Sequence, residues 1–116
     1  MTEYRFSKDS ESLHSLATEG SLLADGVVDG RTTSAFVLTH AQELASDTEK
    51  LASVVASTHP ETGLAEKTMR LAALAREAAS QLRTLAGHPS DAAAAARVRS
   101  ALTNTADAAE KLAKSL

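Results

Sequence analysis

The stretch Ala24-Asp25-Gly26-Val27-Val28-Asp29-Gly30-Arg31-Thr32-Thr33-Ser34-Ala35-Phe36 decides how many helices the chain contains. Two Asp-Gly pairs fall within six residues, and long patterns of helical spacing flank them on both sides. Glycine admits left-handed backbone, and Asp and Thr side chains hydrogen-bond to nearby main chain. The composition is therefore that of a helix stop followed by a helix start. Gly26 is expected to end the first helix in a left-handed conformation, with Val27 folding back on Leu22 as the hydrophobic contact of a Schellman motif. Asp29-Gly30 then makes a second turn, and Thr32 or Thr33 caps the next helix by accepting a main-chain hydrogen bond. A calcium loop fits less well. With Asp25 in the first place of Asp-x-Asp-x-Asp-Gly-x5-Glu, Val27 and Phe36 occupy the places that need an oxygen ligand and a bidentate acid.

Outward from this turn, apolar residues spaced alternately three and four apart form four stripes. The first is Phe6, Asp9, Leu13, Leu16, Gly20, Leu23, Val27; the second is Val37, Ala41, Leu44, Thr48, Leu51, Val55. The third is Leu64, Thr68, Leu71, Ala75, Ala78, Leu82, Leu85, and the fourth is Ala95, Val98, Leu102, Thr105, Ala109, Leu112, Leu116. This spacing keeps one face of an α-helix apolar and suits the shallow crossings of bundles. No segment alternates with the period of a strand. Pro60 is expected in the first turn of the third helix. Gly87 is expected as a left-handed cap before Pro89, with Ser90 or Asp91 capping the fourth helix. Short loops make neighbouring helices antiparallel. The expected fold is an all-α, up-down-up-down four-helix bundle with helices over roughly 7–25, 33–57, 61–86 and 91–115. It forms a single domain over 1–116, with residues 1–6 disordered or frayed. The first helix is the least regular, because Asp9 and Gly20 lie on its seam; Gly20 marks a close helix crossing or a short kink.

The 116 residues suit one core. Aromatics make up 3% and there is no Trp, so Leu, Val and Ala must fill that core. The absence of Cys excludes disulfides, a thiolate nucleophile and Cys-ligated zinc. The polar start, Met1 to Glu11, is not a signal peptide, and no apolar run reaches the length of a membrane span. A cytoplasmic protein is expected, with signal-less secretion left open. The net charge of −3 argues against nucleic acid as a partner. Residues 1–58 hold 4 Lys/Arg against 9 Asp/Glu, and residues 59–116 hold 8 against 6, so the halves carry −5 and +2.

Two groups of residues invite a functional reading. Gly30, Arg31, Thr32, Thr33 and Ser34 place a flexible backbone, a guanidinium and hydroxyls at a helix N-terminus, which is a natural anion site. The frame of a phosphate-binding P-loop is absent. His40 borders the second stripe, with Glu43 and Asp47 on the same edge. A surface His on a four-helix bundle resembles the phospho-acceptor of histidine phosphotransfer domains. Their motif is similar to His-x-x-Lys-Gly, whereas this chain has His40-Ala41-Gln42-Glu43-Leu44, with an acid that repels phosphate in place of the Lys. Pairing of His40 with Glu43 is the plainer expectation. Glu11-Ser-Leu-His14 matches the Glu-x-x-His pair of di-iron bundles, but it occurs once where two are needed. His59 and His88 precede prolines in turns. Small helical proteins of the WxG-type secreted class are similar in size and helicity, but no Trp-x-Gly occurs here.

These features point to a non-enzymatic interaction, scaffold or regulatory module that acts through protein contacts, with no cofactor or metal. Met69 and Ala73 on the third helix, and Ala94 and Ala101 on the fourth, lie off the seams and permit a homodimer. A small-ligand or anion sensor using Gly30–Ser34 is the alternative, and a phosphotransfer protein acting through His40 is a third.

Overall fold

Four helices make up 83% of the chain and no strand is present. In the computed structural model, which describes residues 1–116, they are α1 (Glu3–Val28), α2 (Ser34–Ser57), α3 (Ala65–Gly87) and α4 (Ala92–Lys114). They form an antiparallel bundle of 47 × 21 × 16 Å. The seams read from the sequence face inward almost throughout: Phe6, Leu13, Val37, Val55, Leu71, Leu82, Leu85 and Leu102 are fully buried. Leu16, Leu51 and Leu112 are partly buried against this core, and Leu116 is exposed.

The helices do not pack evenly. α1 lies mainly against α4 and α2 against α3, while α1 and α2 touch far less. Buried alanines explain the two close pairings. Ala17 and Ala24 on α1 are buried, as are Ala94, Ala95, Ala106 and Ala109 on α4. Ala41, Ala45 and Ala52 on α2 are buried too, together with Ala72, Ala75, Ala79 and Ala86 on α3. Small side chains let helix axes approach, so each pair gains close backbone packing where bulky residues are few. The α1–α4 pair is close enough for His14 Nδ1 to donate to the Ala106 carbonyl at 2.9 Å, and for Ser21 to meet Thr103 at 2.9 Å. On the other side, Arg83 of α3 grips Glu49 of α2 through two bonds of 2.9 Å. That hydrogen bond, and the charge of Arg83, hold the Glu49 carboxyl below its usual range.

Four helix ends differ from the sequence expectation. α1 starts at Glu3 and runs through the segment expected to be disordered or frayed. Thr2 caps it by accepting from the Arg5 N–H at 3.0 Å, and Phe6 is fully buried. At the other end α1 passes through Gly26 and stops at Asp29. α3 begins at Ala65, not near 61, so Pro60 lies outside its first turn. The Glu61 N–H bonds to the Met1 carbonyl at 3.0 Å, and Gly63 has a φ of +91°, which breaks the helical path before Leu64. Gly87 keeps right-handed helical backbone; His88 closes α3 by bonding to the Leu85 carbonyl at 3.1 Å, and no left-handed glycine is needed.

Gly20 sits where three helices meet, and α1 runs through it without interruption. A Cβ there would lie 2.8 Å from Leu82 Cδ2 and 2.8 Å from Leu102 Cδ1. Asp9, also on the seam, is nearly buried and pairs with Arg5 at 3.3 Å. Along α4, Glu110 and Lys114 form an i,i+4 ion pair at 3.0 Å. The buried hydroxyls of Ser10 and Thr68 have no hydrogen-bond partner in the chain, whereas Thr48 donates to the Leu44 carbonyl at 2.7 Å.

Replacing Gly20 by Ala should gain about 1 kcal/mol of helix propensity and lose more through overpacking, which costs about 1–3 kcal/mol. Gly20→Ala is therefore expected to be less stable than wild type in urea denaturation. A more stable variant would show that the two leucine tips move aside freely. A second expectation concerns the α4 cap. The main-chain N–H groups of Ala94 and Ala93 hold the Asp91 carboxyl below its ordinary value of 3.8. A depressed carboxyl contributes stability that is complete above the unfolded value and is lost as pH falls through the folded one. Asp91→Asn keeps an acceptor oxygen but does not titrate, so its melting temperature should fall less steeply than that of wild type below pH 3.8. Equal slopes in an acid titration would count against the cap as the cause.

Candidate functional site

The loose contact between α1 and α2 leaves a cleft of about 350 Å³ at the end of the bundle where these helices join. Leu22, Leu23, Gly26, Thr32 and Phe36 line it, and Glu19, Arg31 and His40 complete the wall. The two groups singled out from the sequence thus meet in one place: Arg31 and Thr32 from the loop, and His40 from α2.

The loop reaches this position through the turn chemistry expected of it, placed one turn later. Gly30, not Gly26, is the left-handed residue, with φ +68°. The Arg31 N–H bonds to the Gly26 carbonyl at 2.9 Å and the Gly30 N–H to the Val27 carbonyl at 3.1 Å, the two bonds of a Schellman motif. Leu22 is consequently free of the contact with Val27 proposed for it, and it is 66% exposed. Val27 is buried in the core. Thr33 is the cap of α2, its hydroxyl accepting from the Phe36 N–H at 3.2 Å, and Ser34 is the first helical residue. Thr32 instead turns toward α1, where its Cγ2 would stand 3.6 Å from a Cβ on Gly26. The lack of a side chain at Gly26 keeps the floor of the cleft open.

Arg31 is not a free cation. Its Nη2 lies 3.0 Å from Asp29 Oδ2 and 3.3 Å from Asp25 Oδ2. Asp25 also receives Arg99 of α4 at 2.8 Å. Asp25 therefore bridges two guanidinium groups and ties the α1–α2 loop to α4. The five residues Gly30 to Ser34 form a turn and a cap, with the one positive charge among them already shared by two carboxylates. An incoming anion would have to displace those acids.

His40 stacks on Phe36 one turn before it, with ring centroids 5.4 Å apart and planes within 9°. This corrects the expected pairing with Glu43: four residues earlier, the Phe36 ring offers a flat face to the imidazole, and no hydrogen bond or ion pair joins His40 to Glu43. The Phe36 ring is itself 55% exposed. His14 and Glu11 are not gathered into a metal site, since His14 bonds to the α4 backbone and no group of three His, Cys, Asp or Glu side chains is arranged to hold an ion. No helix is long and apolar enough to cross a membrane.

Sequence reasoning missed Leu22 and Phe36 as surface residues. A signal was present: each stands one position before a seam residue, Leu23 or Val37, and so lies about 100° off the buried face. It missed the Asp25–Arg99 bridge for a different reason, since the register of α4 against α1 is not written in either helix alone. Comparison with protein families, with characterised proteins and with solved structures finds no match to this chain.

Because Asp25 and Asp29 occupy Arg31, sulfate should raise the melting temperature of wild type and of Arg31→Ala equally. A ligand stabilises only the state that binds it, whereas the general effect of sulfate on burial acts on both proteins alike. A larger shift in wild type would establish an anion site at Arg31.

Proposed function

We propose that the protein is a non-enzymatic interaction module whose α1–α2 cleft receives an apolar side chain of a protein partner. The observation that carries this reading is the placement of exposed Leu22 and Phe36 on two helices around one recess, with Leu23 at its base. Covering a large apolar side chain contributes about 1.5–3 kcal/mol, so two such residues at one cleft give a partner an anchor. Glu19 and His40 on the wall offer polar contacts that set orientation.

The sensor alternative draws on the same cleft through Arg31 and Thr32, but carboxylates already neutralise its cation. A phosphotransfer role for His40 has less support still: Phe36 covers one face of the ring, and Glu43 follows where the motif it resembles has Lys. A homodimer formed elsewhere on the surface leaves the cleft open to a different protein.

A photo-crosslinking residue placed at Leu22, in cells of the organism that makes the protein, should trap a discrete protein adduct. Phe36→Asp should abolish that adduct while leaving the helical circular dichroism unchanged. An adduct pattern identical to that from a crosslinker at exposed Lys111, near the C-terminal end of α4 and away from the α1–α2 joint, would overturn the cleft as a partner site.

A further inference from the structure

The outer face of α3 carries a second pattern that the core does not use. Met69, Ala73, Arg76 and Ser80 recur at alternating spacings of four and three, and all are exposed. Met69 is 72% exposed, the highest value among the large apolar residues of the helices after Tyr4. Toward α2 this stripe borders a recess with Ala52, Ser53 and Ala56 on one wall and Ala79 and Ser80 on the other, which Glu49 and Arg76 also line. On its opposite flank stand Arg70 and Glu77, neither of which forms an ion pair within the chain.

We infer that this face is the interface with a second copy of the chain, formed by antiparallel packing of α3 on α3 about a two-fold axis. This deepens the homodimer part of the proposed function and makes no use of the α1–α2 cleft. The pattern is self-complementary in one register. Setting Met69 opposite Ser80 of the second copy sets Ala73 opposite its Arg76. Arg70 then comes within two residues, about 3 Å along the axis, of the level of Glu77 of the second copy on the same flank, and the two-fold repeats that pair in reverse. In an antiparallel pair of helices with this spacing, the residues flanking the seam on one side meet their own counterparts, which is the relation between Arg70 and Glu77. A two-fold contact must be complementary to itself, and Arg70 and Glu77, seven residues apart on one flank of the stripe, meet that condition. Packing is complementary as well. Met69 is long and unbranched, and it meets the recess of the second copy at the small residues Ala79 and Ser80. Arg76 lays its aliphatic stem over Ala73 and keeps its guanidinium at the edge. Ala101 on α4 is only partly exposed and Ala94 is buried, so the expectation of a second small-residue surface on α4 is corrected in favour of α3.

Sedimentation equilibrium of the full chain tests this. Wild type should be a dimer at high micromolar concentration. Arg70→Glu and Glu77→Arg should each weaken it about tenfold or more, because each places like charges opposite one another twice. The doubly exchanged R70E/E77R chain should regain wild-type association, a rescue that a merely unfolded variant could not show. Phe36→Asp should leave the dimer intact. A monomeric wild type, single exchanges without effect, or a double exchange without rescue would overturn the α3 interface. A dimer dissolved by Phe36→Asp but not by the α3 exchanges would assign self-association to the cleft and overturn it equally. Loss of the Leu22 crosslink with the dimer preserved bears on the cleft alone.

Discussion

The bundle depends on the absence of one side chain. At Gly20 the space a Cβ would fill is already taken by the tips of Leu82 and Leu102, each fully buried. Three helices converge there, which fixes how α1 seats against α3 and α4 together. An aromatic-poor chain has few large side chains with which to fill a core, so it obtains density by bringing backbones close. Its buried alanines do this along two helix pairs, and Gly20 does it at the junction between them. The helix propensity lost at a mid-helix glycine, about 1 kcal/mol, is offset by the packing of two leucines.

The uneven packing shapes the surface between α1 and α2. Because α1–α4 and α2–α3 are the close pairs, the line between α1 and α2 is left open. The cleft lies there, beside the loop that joins the two helices. That loop is held by charge as well as by turn geometry. Asp25 receives Arg31 from the loop and Arg99 from α4, so three segments meet at one carboxylate. The arrangement commits Arg31 to the architecture and leaves the apolar residues, Leu22 and Phe36, as the features that distinguish this end of the molecule. The proposed role as a protein-docking cleft draws on Leu22, Leu23 and Phe36 in its lining and on an Arg31 already paired with two carboxylates.

The outer face of α3 and the α1–α2 cleft lie on different sides of the bundle and present different chemistry. One carries Met69 and Arg76 among small residues, with Arg70 and Glu77 on its flank; the other carries the exposed large apolar groups Leu22 and Phe36. Small residues give little hydrophobic area per contact, so specificity in the proposed α3 interface would rest on charge register and close approach. Large apolar residues in a recess give affinity with less demand on register.

The four helices, their antiparallel order and most of the core were legible in the sequence, because a three-and-four spacing of apolar residues has one economical solution, a helix with one buried face. The seam of α3 was read correctly at every position from Leu64 to Leu85. The α2 and α4 caps were readable too, since Thr33 and Asp91 act on main chain three residues away. What the sequence left open depends on contacts between segments far apart in the chain. Gly26, Gly30, Gly63 and Gly87 are equivalent as letters; the structure makes Gly30 and Gly63 left-handed and leaves the other two helical. The start of α3 was displaced by a hydrogen bond from Glu61 to Met1, and the start of α1 by the burial of Phe6. The cleft itself arises from unequal helix spacing, a property of four helices packed together. Periodicity determines which face of each helix is buried, but the distances between helices follow from which small side chains meet across them, and that is settled only when the chain has folded.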